Sequence, residues 1–176
     1  MLVRIVYLNQ NRYMKYTPQD GFLYYFDLVK NEDCKPLFSS LSTFNFLDSI
    51  NEEESEYRYA PNKWSIKQIV GHITDHERIK MFRAFLTSRN ESIQLWGYDQ
   101  NFLVDNSRFE ELTFQQLKTD FLNVRKASVS FVEGLSDRQL EIKGMARQHE
   151  ITLENFLKSI IGHELHHIDV IKERYI

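Results

Sequence analysis

The sequence predicts an all-α protein, an up-and-down four-helix bundle with short extra helical turns. The chain has only 6 Gly and 3 Pro in 176 residues, too few turn residues for the short strands of a sandwich or barrel. Apolar residues recur every three to four positions in several segments, the period of a helix face. Two of these segments also begin with a capping box, which marks a helix N-terminus.

The N-terminal part predicts two helices and an extension. Residues 1–13 are an extension of uncertain structure, and the helical domain spans residues 14–176. The first helix runs from about Gln19 to Val29. The second begins near Pro36, a residue suited to a first turn, and continues to about Ile50. The acidic stretch from Asn51 to Glu56 is predicted to be a solvated loop.

The third helix has the clearest start. Ser65 can accept a hydrogen bond from the Gln68 amide while the Gln68 side chain reaches back, and Trp64 and Ile69 are placed as a hydrophobic staple. This helix is predicted to end near Thr87.

The C-terminal half predicts two more long helices. Thr113 and Gln116 repeat the capping box, and that helix is predicted to end at Gly134. Ser136 to Gln139 predict a short turn, and the last helix starts at Thr152.

Composition excludes several classes of function. A formal net charge of -3 and a pI near 6.1 provide no basic surface for nucleic acid. The apolar runs are far too short to cross a membrane. Cys34 stands alone, which excludes an internal disulfide and fits a reducing cytosol. We therefore expect a cytoplasmic protein in which Cys34 is a small packing residue.

Four of the six histidines form two pairs, His72 with His76 and His163 with His167. Residues four apart on a helix face the same way, about 5–6 Å apart at Cβ, so each pair could share one metal ion. The apolar stripe of the third helix does not choose between His72 and His76. Glu77 lies on that stripe and could be a core ion-pair partner.

Glu164 projects from the middle of the apolar stripe of the last helix, beside His163 and His167. A carboxylate there is costly unless it is paired or bound to a cation. Alternatively, Glu164 accepts hydrogen bonds from a Tyr or Arg and the histidines are only half-buried. Residues 163–167 also match H-E-x-x-H, but the nine residues that follow contain no third histidine, so a zincin protease is a weak interpretation.

Three stretches resemble the DinB-like superfamily, which includes the YfiT-type bacillithiol S-transferases: YRYAPNKWSIKQIVGHITDHERIKMFRAF (57–85), WGYDQNFLV (96–104) and GHELHHIDVIKERY (162–175). The resemblance implies a four-helix bundle that holds one divalent metal ion, zinc or nickel, on three histidines. By position, these are His72, His163 and His167. His76 would then lie either behind a ligand or on the surface.

The resemblance also implies an activity, the transfer of a low-molecular-weight thiol cosubstrate to a small electrophile, and a homodimer. In that scheme Glu164 would hold an imidazole or take a proton, or else form a core salt bridge. Tyr98 and Asp99 would touch the substrate or a ligand imidazole, unless they form an ordinary turn. Metal-dependent hydrolysis of an amide or ester, and a non-enzymatic metal-binding stress protein, are the alternatives.

Overall fold

Three long helices form the frame of the structure, a computed structural model that describes residues 15–90, 97–146 and 149–176. In chain order the elements are a 3₁₀ turn (Pro18–Asp20), α1 (Phe22–Val29), α2 (Cys34–Ser39), α3 (Ser42–Leu47), α4 (Glu52–Glu56), α5 (Ile66–Ser88), α6 (Gln100–Asp105), α7 (Phe114–Glu133), α8 (Asp137–Leu140), β1 (Lys143–Ala146), β2 (His149–Thr152) and α9 (Leu153–Arg174). The long helices are α5, α7 and α9. The predicted all-α class is confirmed.

The long helices begin where their capping residues predicted. The Gln68 amide donates to Ser65 Oγ at 3.2 Å, and the Ser65 amide donates to Gln68 Oε1 at 3.0 Å. Thr113 and Gln116 form the same reciprocal pair at the start of α7. Thr152 accepts from the Asn155 amide at the start of α9. These bonds satisfy amides that a helix N-terminus otherwise leaves unpaired.

Helices α5 and α7 run in the same direction, and α9 runs against both. The first halves of α5 and α7 share one core cluster with the end of α9; its members include Ile69, Ile73, Leu117, Phe121, Ile168 and Ile171. The second halves share another cluster with the start of α9, including Ala84, Val132, Leu153, Leu157 and Ile161. Between the end of α5 and the start of α7, the chain therefore returns from one end of the bundle to the other. This distance is about 35 Å, the length of a helix such as α5. This crossing differs from the simple alternation predicted from the sequence.

The short N-terminal helices complete the bundle around this frame. Helix α1 packs along α9, and α2 packs on both α7 and α9. The predicted second helix is divided in two because Ser40 is extended (φ -67°, ψ 134°). The Ser40 and Ser42 hydroxyls share a hydrogen bond of 3.0 Å across this break.

The acidic stretch predicted as a loop is instead helix α4. Asn51 and Glu54 form a capping box at its start. The buried ammonium of Lys67 on α5 pairs with Glu52 at 2.6 Å and Glu56 at 3.0 Å. This contact between separate segments joins α4 to α5, and helical spacing of apolar residues does not reveal it.

Two further elements were not predicted, helix α6 and a hairpin of β1 and β2. The hairpin is antiparallel, with Lys143 opposite Thr152 and Ala146 opposite His149, and it leads directly into α9. The predicted extension at residues 1–13 lies outside the described residues. In the part of the chain that the structure describes, no helix has the length and apolar character needed to cross a membrane.

Candidate metal centre

His72, His163 and His167 come together between α5 and α9. One nitrogen from each ring lies within 4.8 Å of one from each of the others, and His72 Nε2 lies 3.2 Å from His163 Nε2. Two ligands of a tetrahedral zinc ion, bonded at about 2.05 Å, are about 3.3 Å apart. The spacing therefore suits one ion, and the three histidines could hold a metal.

A glycine precedes His72 and His163, and both glycines permit close packing. A Cβ on Gly71 would overlap the Phe109 ring, and a Cβ on Gly162 would overlap the Tyr25 carbonyl. Because a backbone carbonyl cannot yield like a flexible side chain, Gly162 sets how closely α1 approaches α9. The Gly-His pairs in the sequence thus combine a close helix contact with a site residue.

Burial keeps the three imidazoles neutral. It lowers the pKa of His72 to about 4. Burial, reinforced by neighbouring imidazoles, lowers the pKa values of His163 and His167 well below their ordinary value. A metal ion binds neutral imidazole, so these rings are suitable ligands at neutral pH. His72 and His163 are buried, whereas His167 is half-buried and marks the side on which the site is most accessible.

His76, which helical spacing could not distinguish from His72, lies behind the three histidines. Its ring stacks on His163 with centroids 3.6 Å apart and planes 9° apart. Its Nδ1 shares a 2.6 Å hydrogen bond with the hydroxyl of Tyr98. Burial lowers the pKa of His76 well below its ordinary value and raises the pKa of Tyr98 to about 12, so both groups are neutral at pH 7.

Tyr98 and Asp99, predicted to touch substrate, have structural partners here. Tyr98 is half-buried against His76. Asp99 is the N-cap of α6, where its Oδ1 accepts from the amides of Asn101 at 2.9 Å and Phe102 at 3.2 Å. A substrate contact by either residue remains a prediction.

Glu164, predicted as a catalytic group or a core salt bridge, is paired with Arg125. The same guanidinium donates to Glu77 on α5, from Nε to Oε1 at 3.1 Å and from Nη2 to Oε2 at 2.8 Å. Because Arg125 lies on α7, this buried group joins all three long helices. Asp75, next to His76 on α5, pairs with Arg78 at 3.0 Å.

Aromatic rings enclose the three histidines. Trp64 lies against His72 with centroids 4.8 Å apart, and Tyr25 meets the face of His163 at 4.9 Å. Beside them, the hydroxyl of Tyr24 shares a 3.1 Å hydrogen bond with His166 Nδ1. No local pattern in the sequence marks Arg125, Tyr24 or Tyr25 as part of this site, since each lies on a helix far from the histidines along the chain.

Comparison with known proteins places this chain in a family. The family model of the DinB superfamily matches residues 42–171, well over half of the chain. The chain belongs to the DinB superfamily. The resemblance stated from the sequence is thus confirmed.

A solved structure supports the fold of this DinB-superfamily chain. The chain is similar to the solved structure of YfiT from Bacillus subtilis, which is described as a probable metal-dependent hydrolase with an unusual four-helix bundle topology. The match has a TM-score of 0.67 and 16% sequence identity, and covers 90% of this chain and 88% of YfiT. The four-helix bundle is therefore confirmed. The comparison with curated proteins found no match.

Proposed function

We propose that this protein is a metal-dependent enzyme that transfers a low-molecular-weight thiol to a small electrophile. The observation that carries the proposal is the set of three neutral imidazoles whose nitrogens lie within 4.8 Å of one another. Structural zinc sites are closed by four protein ligands, whereas catalytic sites have three and an open position. Within the described residues, His72, His163 and His167 would form such a three-ligand set.

Zinc or nickel is the metal that we propose for this set, because imidazole suits both ions. A divalent ion held there would supply a positive charge that lowers the pKa of a thiol placed against it, and the thiolate is the reactive form. Neutral imidazoles leave the whole of that charge available. Trp64 and Tyr25 cover His72 and His163 and exclude water from their faces.

The chain's own thiol does not supply the nucleophile. Cys34 is buried in the second core cluster, the one that includes Ala84 and Leu157, and burial raises the pKa of its thiol to about 12. Trp64, which packs on the first core cluster, instead lies against His72. A thiol substrate would therefore come from solution, on the side of His167, which is half-buried.

Hydrolysis of an amide or ester is the second candidate, favoured by the description of YfiT. Hydrolysis gains from a general base that takes a proton from water. Glu164 is the carboxylate adjacent in sequence to a site histidine, but it is paired with Arg125. Because this pairing occupies Glu164, hydrolysis at the site would depend on a bound ion alone to lower the pKa of the attacking water.

Elemental analysis tests the site before any substrate is known. We expect about one divalent ion per wild-type chain and far less in His72→Ala and His163→Ala. His149→Ala, which removes a half-buried histidine of the hairpin, is the matched control and should keep its metal. A wild-type protein purified without metal, and unable to bind added zinc or nickel, would contradict the proposal.

A second measurement separates the two activities. In a cobalt-substituted protein, a small thiol such as cysteine or glutathione should change the visible spectrum when it reaches the ion. Activity toward an ester without added thiol, abolished by a chelator, would support hydrolysis instead.

A further inference from the structure

His163 lacks the contact that usually fixes a metal-binding imidazole. Such a ring normally donates its second N–H to a carboxylate, carbonyl or water, which sets both the ring plane and the tautomer. In the described part of the chain, His163 Nδ1 is buried without a hydrogen-bond partner. Other contacts must therefore set the plane of this ring.

Two neighbouring rings hold His163 in place, one by parallel stacking and the other by an edge-on contact. His76, one turn after His72 on α5, lies parallel to it with a centroid distance of 3.6 Å and an angle of 9°. Tyr25 of α1 meets it edge-on at 4.9 Å and 74°. A parallel contact at van der Waals distance restricts rotation of the ring about its side-chain bonds, because any tilt would bring atoms of the two rings too close.

His76 is fixed in turn by a residue outside α5. Its Nδ1 shares a 2.6 Å hydrogen bond with the hydroxyl of Tyr98. Tyr98 directly precedes Asp99, whose carboxylate caps α6 through two backbone amides. A short path of contacts therefore leads from the start of α6 through Tyr98 and His76 to His163.

We infer that His76 and Tyr98 are positioning residues of the metal centre, which hold the plane of the His163 ring by stacking where a hydrogen bond is absent. This inference rests on the proposed metal site. It assigns to His76 a role distinct from that of a ligand, since His76 is not in the group of three whose nitrogens converge.

Three variants separate stacking from hydrogen bonding. His76→Ala removes both, His76→Phe keeps a flat ring on His163, and Tyr98→Phe removes only the hydroxyl. His149→Ala again controls for the loss of a histidine. For each protein we would measure zinc affinity by competition with a chromophoric chelator, and the visible spectrum of the cobalt form, which reports ligand geometry.

We expect His76→Ala to weaken zinc binding by roughly 10- to 100-fold, the usual cost of losing a group that supports a ligand, and to alter the cobalt bands. His76→Phe should recover most of that loss, and Tyr98→Phe should cost about five-fold, the effect of one net hydrogen bond. A general loss of stability would not produce recovery by phenylalanine together with a changed spectrum.

The outcomes distinguish this inference from the proposed function. Wild-type affinity and spectrum in both His76→Ala and Tyr98→Phe would overturn the positioning role while the metal site stands. A wild-type protein that binds no metal would overturn the proposed function and the inference with it. If His76→Ala does not fold, the result for Tyr98→Phe decides whether the positioning role stands, because that variant leaves every ring in place.

Discussion

Arg125 of α7 and Glu164 of α9 form an ion pair inside the bundle. Glu164 directly follows the site histidine His163 in the chain. Arg125 also contacts Glu77 of α5, five residues after His72. One guanidinium thus joins the two helices that carry the three histidines. Both carboxylates and the guanidinium are buried, so the group holds two negative charges and one positive charge away from water.

Replacing Arg125 should destabilise the protein strongly. Arg125→Met leaves Glu77 and Glu164 buried without a counter-charge, and breaking a buried ion pair in this way costs about 3–5 kcal/mol. Chemical denaturation would give the free energy of unfolding. Arg78→Met is the matched control, because Arg78 forms a more exposed pair with Asp75 and Asp120 and its loss should cost less than about 1 kcal/mol. Equal effects of the two variants would contradict this account of Arg125.

Glu164→Gln tests whether this carboxylate takes part in chemistry. Glutamine keeps an oxygen that accepts from Arg125, and Glu77 still balances the guanidinium. We therefore expect a change in the free energy of unfolding below about 2 kcal/mol and less than ten-fold loss of transfer activity. A general base contributes about 10²–10⁴-fold. A hundred-fold fall in kcat at unchanged stability would therefore identify Glu164 as a proton acceptor.

Chelation should lower the melting temperature. A ligand that binds the folded state alone adds about 4 kcal/mol at a thousand times its Kd, and about 2–4 °C of Tm accompanies each kcal/mol in a domain of this size. We expect Tm to fall by about 8–16 °C when EDTA is added to protein in excess zinc. His72→Ala should show almost no such shift, and a full shift in that variant would contradict the assignment of His72 as a ligand.

Local signals in the sequence predicted much of the fold. Ser65, Thr113 and Thr152 mark the starts of α5, α7 and α9 because N-capping depends on residues only three positions apart. Helix α4 was missed although Asn51 and Glu54 form a capping box of the same kind. The residues of α4 lack the apolar spacing of a helix face. The contact that joins α4 to α5 comes from Lys67, eleven residues beyond Glu56.

Part of the site was also predictable, because contacts between residues of one helix depend only on their local spacing. Helical spacing brings His163 and His167 together, but it does not distinguish His72 from His76, since both are buried on α5 beside His163. The resemblance to the family indicated His72, which the geometry places with the other two. Arg125 and Tyr25 reach the site from other helices, and only the packing of the whole chain brings them there.

Gly162→Ala should disrupt the contact between α1 and α9. Its new Cβ would overlap the Tyr25 carbonyl, so the backbone must move, and such overpacking costs about 1–3 kcal/mol. Gly134→Ala is the matched control. Gly134 has ordinary helical angles and its nearest contact would be 3.4 Å away, so alanine there should be neutral or stabilise by up to about 1 kcal/mol. Two variants of equal stability would show that α1 can shift without cost.

Cys34 should react slowly with iodoacetamide, at a rate that keeps rising with pH. Burial raises the pKa of its thiol from 9.0 to about 12, and only the thiolate is alkylated. The thiolate fraction is then roughly one in ten thousand at pH 8, and the rate should rise about ten-fold per pH unit from pH 7 to 10. In guanidinium the unfolded chain should react at once, and its rate should level off above pH 9. A native rate that also levels off near pH 9 would mean an accessible thiol, and Cys34 would then have to be considered as the nucleophile in place of a thiol from solution.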